Sequence, residues 1–485
     1  MRFRERTWLA PAIFLIAALN VAGVANAALI PGIVDGPDMR LSGTQTFVFN
    51  PSSLGGTVSW SVDRETISDV GTHTRTNAIL SATGSSATFS LSAVSGSETI
   101  YYVNASDRGA QDQQTVQVFT ANTRTWFTYH SAGNPDVRVF TVVPSTLSSR
   151  TRVLLAMHGN TRTASDYADY WRSWATQHDY LVLCPYYDAV NWPSVGQYQM
   201  GNVFSGDDCG GVLNPRERWT FTIDLGIHQR ARDGFGIADP QFDMWGFSGG
   251  GQHVHRFMLY EPTAPVRTAV AAGSGWYTAP DLNIDCPYGV RDPLLWFTKT
   301  DLTAWTNRNM VIMVGTADTV RDDELRITAR ADAQGLNRYQ RAGYMMSKGR
   351  TLNPLTRWRR VDVPDVGHSA KPMAQAAQSV ILGSLVDTPA PAPLLTGGPL
   401  LQMRPNPLMA NGWLSGEGWG REAVKVEVFD LLGRRVAEQT AMVSQGKWQL
   451  PWSGLSGPRS IASGVYLVRA RDHDRQVQQK ILVTR

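Results

Sequence analysis

Residues 242–257 read FDMWGFSGGGQHVHRF and combine an apolar run with a glycine-rich segment. Within this stretch, Gly246-Phe247-Ser248-Gly249-Gly250 matches the G-x-S-x-G pattern, in which a serine occupies a sharp turn between a strand and a helix. Glycine at the flanking positions removes Cβ atoms that would clash in so tight a turn. The sequence therefore predicts an exposed Ser248 hydroxyl. A structural Ser-Gly loop is the alternative, because a chain with 44 glycines can match this five-residue pattern by chance.

The length and charge of the chain limit what it can be. Its 485 residues exceed one ordinary domain, so about two to four units are expected. The net charge is only +4, and no block of Lys and Arg indicates nucleic-acid binding. No nucleic-acid partner is predicted.

The first 27 residues have the pattern of a secretory signal peptide. Arg2, Arg4 and Arg6 precede an apolar stretch from Leu9 to Val24, and Ala25-Asn26-Ala27 is a small-residue cleavage site. An uncleaved membrane anchor is the alternative, but the apolar stretch is short for a span and contains a proline. The sequence predicts export.

Three cysteines are present, which suits an oxidising compartment with one disulfide. Cys209 and Cys286 both lie in loop-like surroundings and are the predicted pair. Cys184 ends an apolar run and is predicted to be a buried thiol. Because no CxxC pair occurs, a structural zinc site is not expected.

The remaining chain divides into four parts by pattern. Residues 28–120 contain short β-type segments at sandwich spacing and resemble a bacterial Ig-like module. In residues 121–385 strand-like runs alternate with helical ones, and the runs are apolar on both faces. This pattern predicts an α/β fold with a mostly parallel sheet and helices on both faces. Residues 386–402 form a Pro/Ala linker, and residues 403–485 are β-like again, as in a β-sandwich.

A serine nucleophile needs a base and an acid that orients the base. Asp318 follows the apolar run at residues 310–315 and is the predicted acid, with Asp322 and Asp323 as competitors. A helix-capping role is the alternative for Asp318. His368 follows the last core strand in a loop and is the predicted base. The order serine, acid, histidine is that of an α/β-hydrolase.

Donors for a tetrahedral oxyanion are expected from two backbone N–H groups. One belongs to Gly249, directly after the serine. The other belongs to Asn160, in the His158-Gly159-Asn160 turn after an early apolar strand. His158 itself is predicted to be a structural hydrogen-bonding residue.

A long loop-like segment from Tyr186 to Trp219 is predicted to form part of the substrate cleft, although a surface excursion is equally compatible with it. Trp192 in this segment is a candidate for substrate binding. Trp276 and Tyr277 are further candidates, with core packing as the alternative. The adjacent acids Asp207 and Asp208 are only weak evidence for a calcium-binding site. No metal or cofactor is predicted.

With these motifs in place, residues 123–385 resemble the α/β-hydrolase superfamily. The His-Gly-Asn turn and Gly-Phe-Ser-Gly-Gly resemble secreted polyhydroxyalkanoate depolymerases and feruloyl esterases. The resemblance implies ester hydrolysis through an acyl-enzyme on Ser248, with His368 as base and Asp318 orienting it. Depolymerases of this type often have a cysteine after the His-Gly pair, where Asn160 stands here.

The C-terminal part resembles the sorting domain of the type IX (Por) secretion system. The resemblance rests on three motifs: the opening Arg404-Pro405-Asn406-Pro407, an Asp-x-x-Gly-Arg turn at residues 430–434 and the run Ala462-Ser463-Gly464-Val465-Tyr466. The resemblance implies an outer-membrane secretion machinery as partner and a secreted or cell-surface location. A plain β-sandwich accessory domain is the alternative.

The sequence thus predicts a secreted, multidomain serine hydrolase acting on carboxylic esters, with a polyester or an esterified polysaccharide as possible substrates. A prolyl-oligopeptidase-type peptidase is the alternative among enzymes, although residues 28–120 are too few for its β-propeller. A surface adhesin or binding protein with an inert core is the alternative outside enzymes.

Overall fold

The computed structural model describes residues 32–34, 38–50, 57–107, 110–383, 400–404, 412–417, 423–430, 434–444, 447–452, 462–472 and 476–483. The predicted signal peptide at residues 1–27 and most of the predicted linker at 386–402 lie outside these residues. The chain divides into two compact units, Met1–Phe119 and Thr120–Arg485.

The first unit contains eight strands in two sheets, which have the orders β1-β3-β6 and β2-β8-β7-β4-β5. Alternate apolar residues of both sheets face a shared core, in which the Phe49 and Trp60 rings meet edge to face with centroids 6.4 Å apart. The strands are β1 (Gly32–Val34), β2 (Met39–Leu41), β3 (Gly43–Asn50), β4 (Ser59–Ser68), β5 (His73–Thr83), β6 (Ser86–Leu91), β7 (Ser97–Asp107) and β8 (Ala110–Phe119).

The second unit is built on an eight-stranded sheet with seven helices. Its strands are β9 (Arg124–Tyr129), β10 (Val137–Val142), β11 (Arg152–Met157), β12 (Tyr180–Tyr186), β13 (Phe242–Phe247), β14 (Val266–Ala272), β15 (Met310–Gly315) and β16 (Arg359–Val363). Its helices are α1 (Ala164–His178), α2 (Thr220–Phe235), α3 (Gly249–Tyr260), α4 (Lys299–Thr306), α5 (Ala329–Asp332), α6 (Arg338–Leu352) and α7 (Ala370–Ile381).

The strand order of this sheet is β16-β15-β14-β13-β11-β12-β10-β9. From β16 to β12 every pairing is parallel, as the sequence predicts. The sheet as a whole is mixed, because β10 runs antiparallel to both β12 and β9. Strands β9 and β10 pair antiparallel because the connection between them, residues 130–136, is long enough for a hairpin but too short for a parallel crossover.

Both faces of the central strands are covered. In β11, Leu154 and Ala156 pack with α1 and α7 in one core, whereas the alternate residues Val153 and Leu155 point to the opposite face. All four are fully buried. Helices on both sides of the sheet therefore explain why these strands are apolar throughout.

A disulfide attaches the long segment between β12 and α2 to the segment between β14 and α4. Cys209 forms the predicted disulfide with Cys286, across 77 positions of sequence, and the Cα atoms lie 6.0 Å apart. Cys184 is a buried free thiol, as predicted. Asp208 forms an ion pair with Arg326.

The C-terminal part forms two small sheets, with the orders β17-β18-β21 and β20-β19-β22-β23, around a common apolar core. The strands are β17 (Leu400–Arg404), β18 (Trp413–Glu417), β19 (Ala423–Phe429), β20 (Arg435–Met442), β21 (Lys447–Pro451), β22 (Gly464–Arg471) and β23 (Gln476–Val483). Among the described residues of the whole chain, none of the helices is both long and apolar enough to cross a bilayer.

A buried histidine makes the stability of the second unit dependent on pH. His228 of α2 is 4% exposed, and its ring packs against Phe242 with centroids 4.4 Å apart. Burial, together with the charge of Arg232, lowers the pKa of His228 to about 4. Between the unfolded value near 6.5 and this value, the unfolded chain binds the proton and the folded chain does not. Acidification through this range therefore destabilises the fold.

We predict that His228 accounts for about 2–3 kcal/mol of the stability lost between pH 6.5 and pH 4. The variant His228→Gln should reduce the pH dependence of the free energy of unfolding by that amount. Urea unfolding at several pH values measures it. The exposed His178→Gln variant should keep the wild-type slope, and an unchanged slope in His228→Gln would contradict the assignment.

Candidate active site

Ser248 lies on a strained turn between β13 and α3. Its backbone has φ 57° and ψ −116°, a conformation that a non-glycine residue rarely adopts. The turn is also tightly packed. A Cβ atom on Gly246 would lie 2.3 Å from the Gly250 carbonyl oxygen, and one on Gly250 would lie 2.1 Å from the Met157 carbonyl oxygen. Glycine is therefore required at both positions of the motif.

The structure brings Ser248, His368 and Asp318 together. Nε2 of His368 lies 3.1 Å from Oγ of Ser248, and its Nδ1 lies 2.9 Å from Oδ2 of Asp318. The three residues follow the carboxyl ends of β13, β16 and β15, which meet at one edge of the parallel sheet. The ring of His368 also packs on Phe247, with centroids 4.6 Å apart. This geometry allows His368 to accept the proton of the serine hydroxyl.

The competing acid Asp322 has another partner. Arg338, 1% exposed at the start of α6, donates to both carboxylate oxygens of Asp322 at 2.6 and 2.8 Å. These hydrogen bonds and the positive charge lower the pKa of Asp322. Arg338 also lies 3.7 Å from Oδ1 of Asp318, the oxygen that does not face the histidine. No sequence pattern singles out Arg338.

The two predicted oxyanion donors lie next to each other. Gly249 is the first residue of α3, where backbone N–H groups have no partner within the helix. A Cβ on Gly249 would be 3.4 Å from the backbone nitrogen of Asn160, so the two peptide groups converge. The side chain of Gln199 donates to the Asn160 carboxamide, and the N–H of Gly159 donates to the Tyr167 hydroxyl at 3.0 Å. These contacts fix the turn after β11.

His158 stabilises this turn through hydrogen bonds and a ring contact. Nε2 accepts the Tyr187 N–H at 3.1 Å, and Nδ1 lies 2.9 Å from the Gly159 carbonyl oxygen. Its ring stacks on Tyr198 with centroids 4.5 Å apart. Burial lowers the pKa of His158 to about 3, so the ring is neutral at physiological pH. It therefore acts as a structural residue.

A second buried His–Asp pair lies behind the turn. Nε2 of His253 is 2.6 Å from Oδ2 of Asp224, and both side chains are fully buried. Nδ1 of His253 faces the Tyr198 carbonyl oxygen at 2.8 Å, and the Tyr187 hydroxyl donates to Asp224 at 2.6 Å. Both ring nitrogens of His253 thus lie at hydrogen-bonding distance from oxygen atoms.

A cavity of about 270 Å³ opens beside Ser248 and His368. Its other lining residues are Gly159, Asn160, Thr161, Thr163, Tyr167, Tyr170, Phe247, Glu324, Ser369 and Ala370. Most of these were not singled out in the sequence, because the cavity is formed by loops that are distant along the chain. Within the described part of the chain, no three His, Cys, Asp or Glu side chains form a group that could hold a metal ion.

The three aromatic candidates for substrate binding lie away from this cavity. Trp276 is buried under the guanidinium of Arg256, which lies 4.1 Å from its ring. Tyr277 is fully buried, and Trp192 packs edge to face on Tyr187. All three side chains are buried, and none of them lines the cavity.

Comparisons with known proteins give two independent matches. A family model for the secretion system C-terminal sorting domain matches residues 403–484. The solved structure of poly(aspartic acid) hydrolase-1 from Sphingomonas sp. KT-1 is 32% identical, with TM-score 0.51, over 54% of this chain and 99% of that one. That of a poly(3-hydroxybutyrate) depolymerase from Bordetella parapertussis is 26% identical, with TM-score 0.50, over 54% and 90%. No curated protein matches in a sequence search.

We predict that Asp224→Asn lowers the free energy of unfolding by about 3–5 kcal/mol, because it leaves His253 in a buried site without its carboxylate partner. Urea unfolding at neutral pH measures the loss. Asp233→Asn is the matched control, because Asp233 lies exposed on the same helix and should change stability by less than about 0.5 kcal/mol. Equal effects of the two substitutions would contradict the role of the buried pair.

Proposed function

We propose that this chain, which belongs to the α/β-hydrolase superfamily, is an exported serine hydrolase that cleaves carboxylic esters. The observation that carries the proposal is the pair of contacts that His368 makes with Ser248 and Asp318, at 3.1 and 2.9 Å. In this proposal residues 121–385 form the catalytic domain and residues 28–120 an Ig-like accessory domain. Residues 1–27 are a signal peptide, and residues 403–485, joined by the linker at 386–402, form the sorting domain.

The proposed reaction has two steps. Oγ of Ser248 attacks the ester carbonyl carbon while His368 takes the hydroxyl proton, and the N–H groups of Gly249 and Asn160 donate to the oxyanion. Collapse expels the alcohol, which receives the proton from His368 and leaves an acyl-enzyme. Water then attacks the acyl group, with His368 as base, and releases the acid. Asp318 keeps the imidazole oriented throughout.

An extracellular polymer is the proposed substrate class. The two relatives are named for the hydrolysis of a poly(amino acid) and of a polyester, and the sorting-domain match indicates export by type IX secretion. A polyester or an esterified polysaccharide would be attacked at a surface-accessible cavity such as the one beside Ser248. The described residues of the first unit form two small sheets rather than a propeller, which disfavours a prolyl-oligopeptidase-type enzyme.

The first test compares ester and amide turnover in the wild type and in three variants. Ser248→Ala should abolish hydrolysis of p-nitrophenyl acetate and butyrate, and Asp318→Asn should lower kcat/KM by about 10³- to 10⁴-fold. Asp322→Asn, the matched control, should lower it by less than about tenfold, because Asp322 does not contact His368.

Ester turnover that survives in Ser248→Ala would exclude the nucleophile. Faster cleavage of a prolyl amide than of any ester would favour the peptidase alternative. The absence of turnover on acetyl, butyryl, feruloyl and poly(3-hydroxybutyrate) substrates would favour a non-catalytic binding protein.

The second test separates the backbone of Asn160 from its side chain. Asn160→Pro removes the N–H group and should lower kcat by about 10²- to 10³-fold, the usual loss for one oxyanion donor. Asn160→Ala keeps the N–H group and should lower kcat by less than about tenfold. Thermal unfolding verifies that both variants are folded. If Asn160→Pro and Asn160→Ala are both folded and lose kcat equally, the side-chain carboxamide of Asn160, and not its backbone N–H group, would be the oxyanion donor.

A further inference from the structure

The cavity beside Ser248 has an uneven distribution of charge. Glu324 is the one carboxylate among its described lining residues, His368 is the one basic side chain, and neither lysine nor arginine lines it. The remaining polar groups are hydroxyls and a carboxamide, which belong to Asn160, Thr161, Thr163, Tyr167, Tyr170 and Ser369. A substrate that enters the cavity therefore meets a carboxylate and no opposing cation.

The position of Glu324 is fixed by its neighbours in sequence. Asp322, two residues before it, is held by Arg338 at 2.6 and 2.8 Å. Leu325 is 3% exposed, and Arg326 forms two hydrogen bonds with the carboxylate of Asp208, one of them at 2.8 Å. Asp208 in turn precedes the disulfide-bonded Cys209. The segment that carries Glu324 is thus attached at both sides.

The two nearby arginines are engaged elsewhere. Arg162, which follows the lining residue Thr161, donates to the carbonyl oxygens of Tyr187 and Trp192 at 2.6 and 2.9 Å. Arg338 is buried against Asp322, and Lys371 is not among the lining residues. The backbone N–H of Glu324 donates to the Asp322 carboxylate. Among the described residues, none forms an ion pair or a hydrogen bond with the Glu324 carboxylate. Its negative charge is therefore available to a substrate.

We propose that Glu324 is a specificity-determining residue: it favours substrates that present a hydrogen-bond donor, a hydroxyl or an ammonium group, beside Ser248, and it disfavours chains that carry carboxylates. This inference rests on the proposed ester hydrolysis. A carboxylate accepts hydrogen bonds from hydroxyl and ammonium groups and repels other carboxylates. Esterified sugars and amine-bearing esters thus fit the cavity better than polyanions do.

The test uses three p-nitrophenyl esters of equal chain length, those of aminocaproic, hydroxycaproic and adipic acid. They present an ammonium, a hydroxyl and a carboxylate group at the same distance from the scissile bond. For the full-length wild type, kcat/KM should be about five- to tenfold higher for each of the first two than for the adipate ester. A higher kcat/KM for the aminocaproate ester than for the hydroxycaproate ester would indicate an amine-bearing substrate, and the reverse order a hydroxylated one.

Three variants locate the source of this preference. Glu324→Gln should reduce the ratio of kcat/KM between the ammonium and carboxylate esters to near one, and Glu324→Lys should invert it. Asp323→Asn removes the neighbouring charge, which does not line the cavity, and should keep most of the wild-type ratio. The change is expected mainly in KM, because Glu324 contacts the remote end of the substrate and not the reacting carbonyl.

A wild-type ratio near one, or an unchanged ratio in Glu324→Gln, would overturn the role of Glu324 while leaving ester hydrolysis intact. Equal effects of Asp323→Asn and Glu324→Gln would also overturn it, since they would indicate a general field and not a contact. The absence of Ser248-dependent turnover on all three esters would instead contradict the proposed function.

Discussion

The close approach of the β13–α3 turn to the end of β11 is the constraint on which the site depends. Gly250 lies so near the Met157 carbonyl that no side chain fits between them. This contact forces Ser248 into its strained backbone conformation and brings the N–H groups of Gly249 and Asn160 to the same side. Strain of this kind persists only where the surrounding structure determines the conformation fully.

The surrounding structure that does so is a buried polar layer beneath the turn. His158, Tyr198, His253 and Asp224 form a continuous set of hydrogen bonds and stacked rings. Every carboxylate and imidazole in this set has a partner at hydrogen-bonding distance, which offsets the cost of burying it. The layer connects α2, α3 and the segment after β12 to the turn that carries Asn160.

The loops above the sheet are fixed by ion pairs and a disulfide rather than by regular structure. Arg338 and Arg326 hold the segment around Glu324, and the Cys209–Cys286 bond closes the segment after β12. The segment around Glu324 is polar and irregular, so hydrophobic burial alone would not fix it. The segment after β12 is also irregular, but it buries Tyr187, Trp192 and Tyr198 in addition. Their attachment explains how a small cavity with a defined charge can form on loops from distant parts of the chain.

The sequence by itself determined the elements whose signal is local. The apolar runs of β11, β13 and β15, the glycines around Ser248 and the order of serine, acid and histidine all depend on neighbouring residues, and the structure places those elements where the patterns are. The antiparallel β9–β10 edge and helices α4, α6 and α7 were not predicted. Helix α4 is short and α6 is weakly amphipathic, whereas α7 has a clear apolar face that the sequence analysis did not identify.

Only the tertiary structure decided what lines the cavity, which partners Asp322 and His253 have, and that Trp192, Trp276 and Tyr277 belong to the core. Glu324 reaches the cavity through a loop whose path is set by Arg338 and Arg326, far from Ser248 in sequence. Such contacts depend on the folding of distant segments against each other. A single sequence carries no local signal for them.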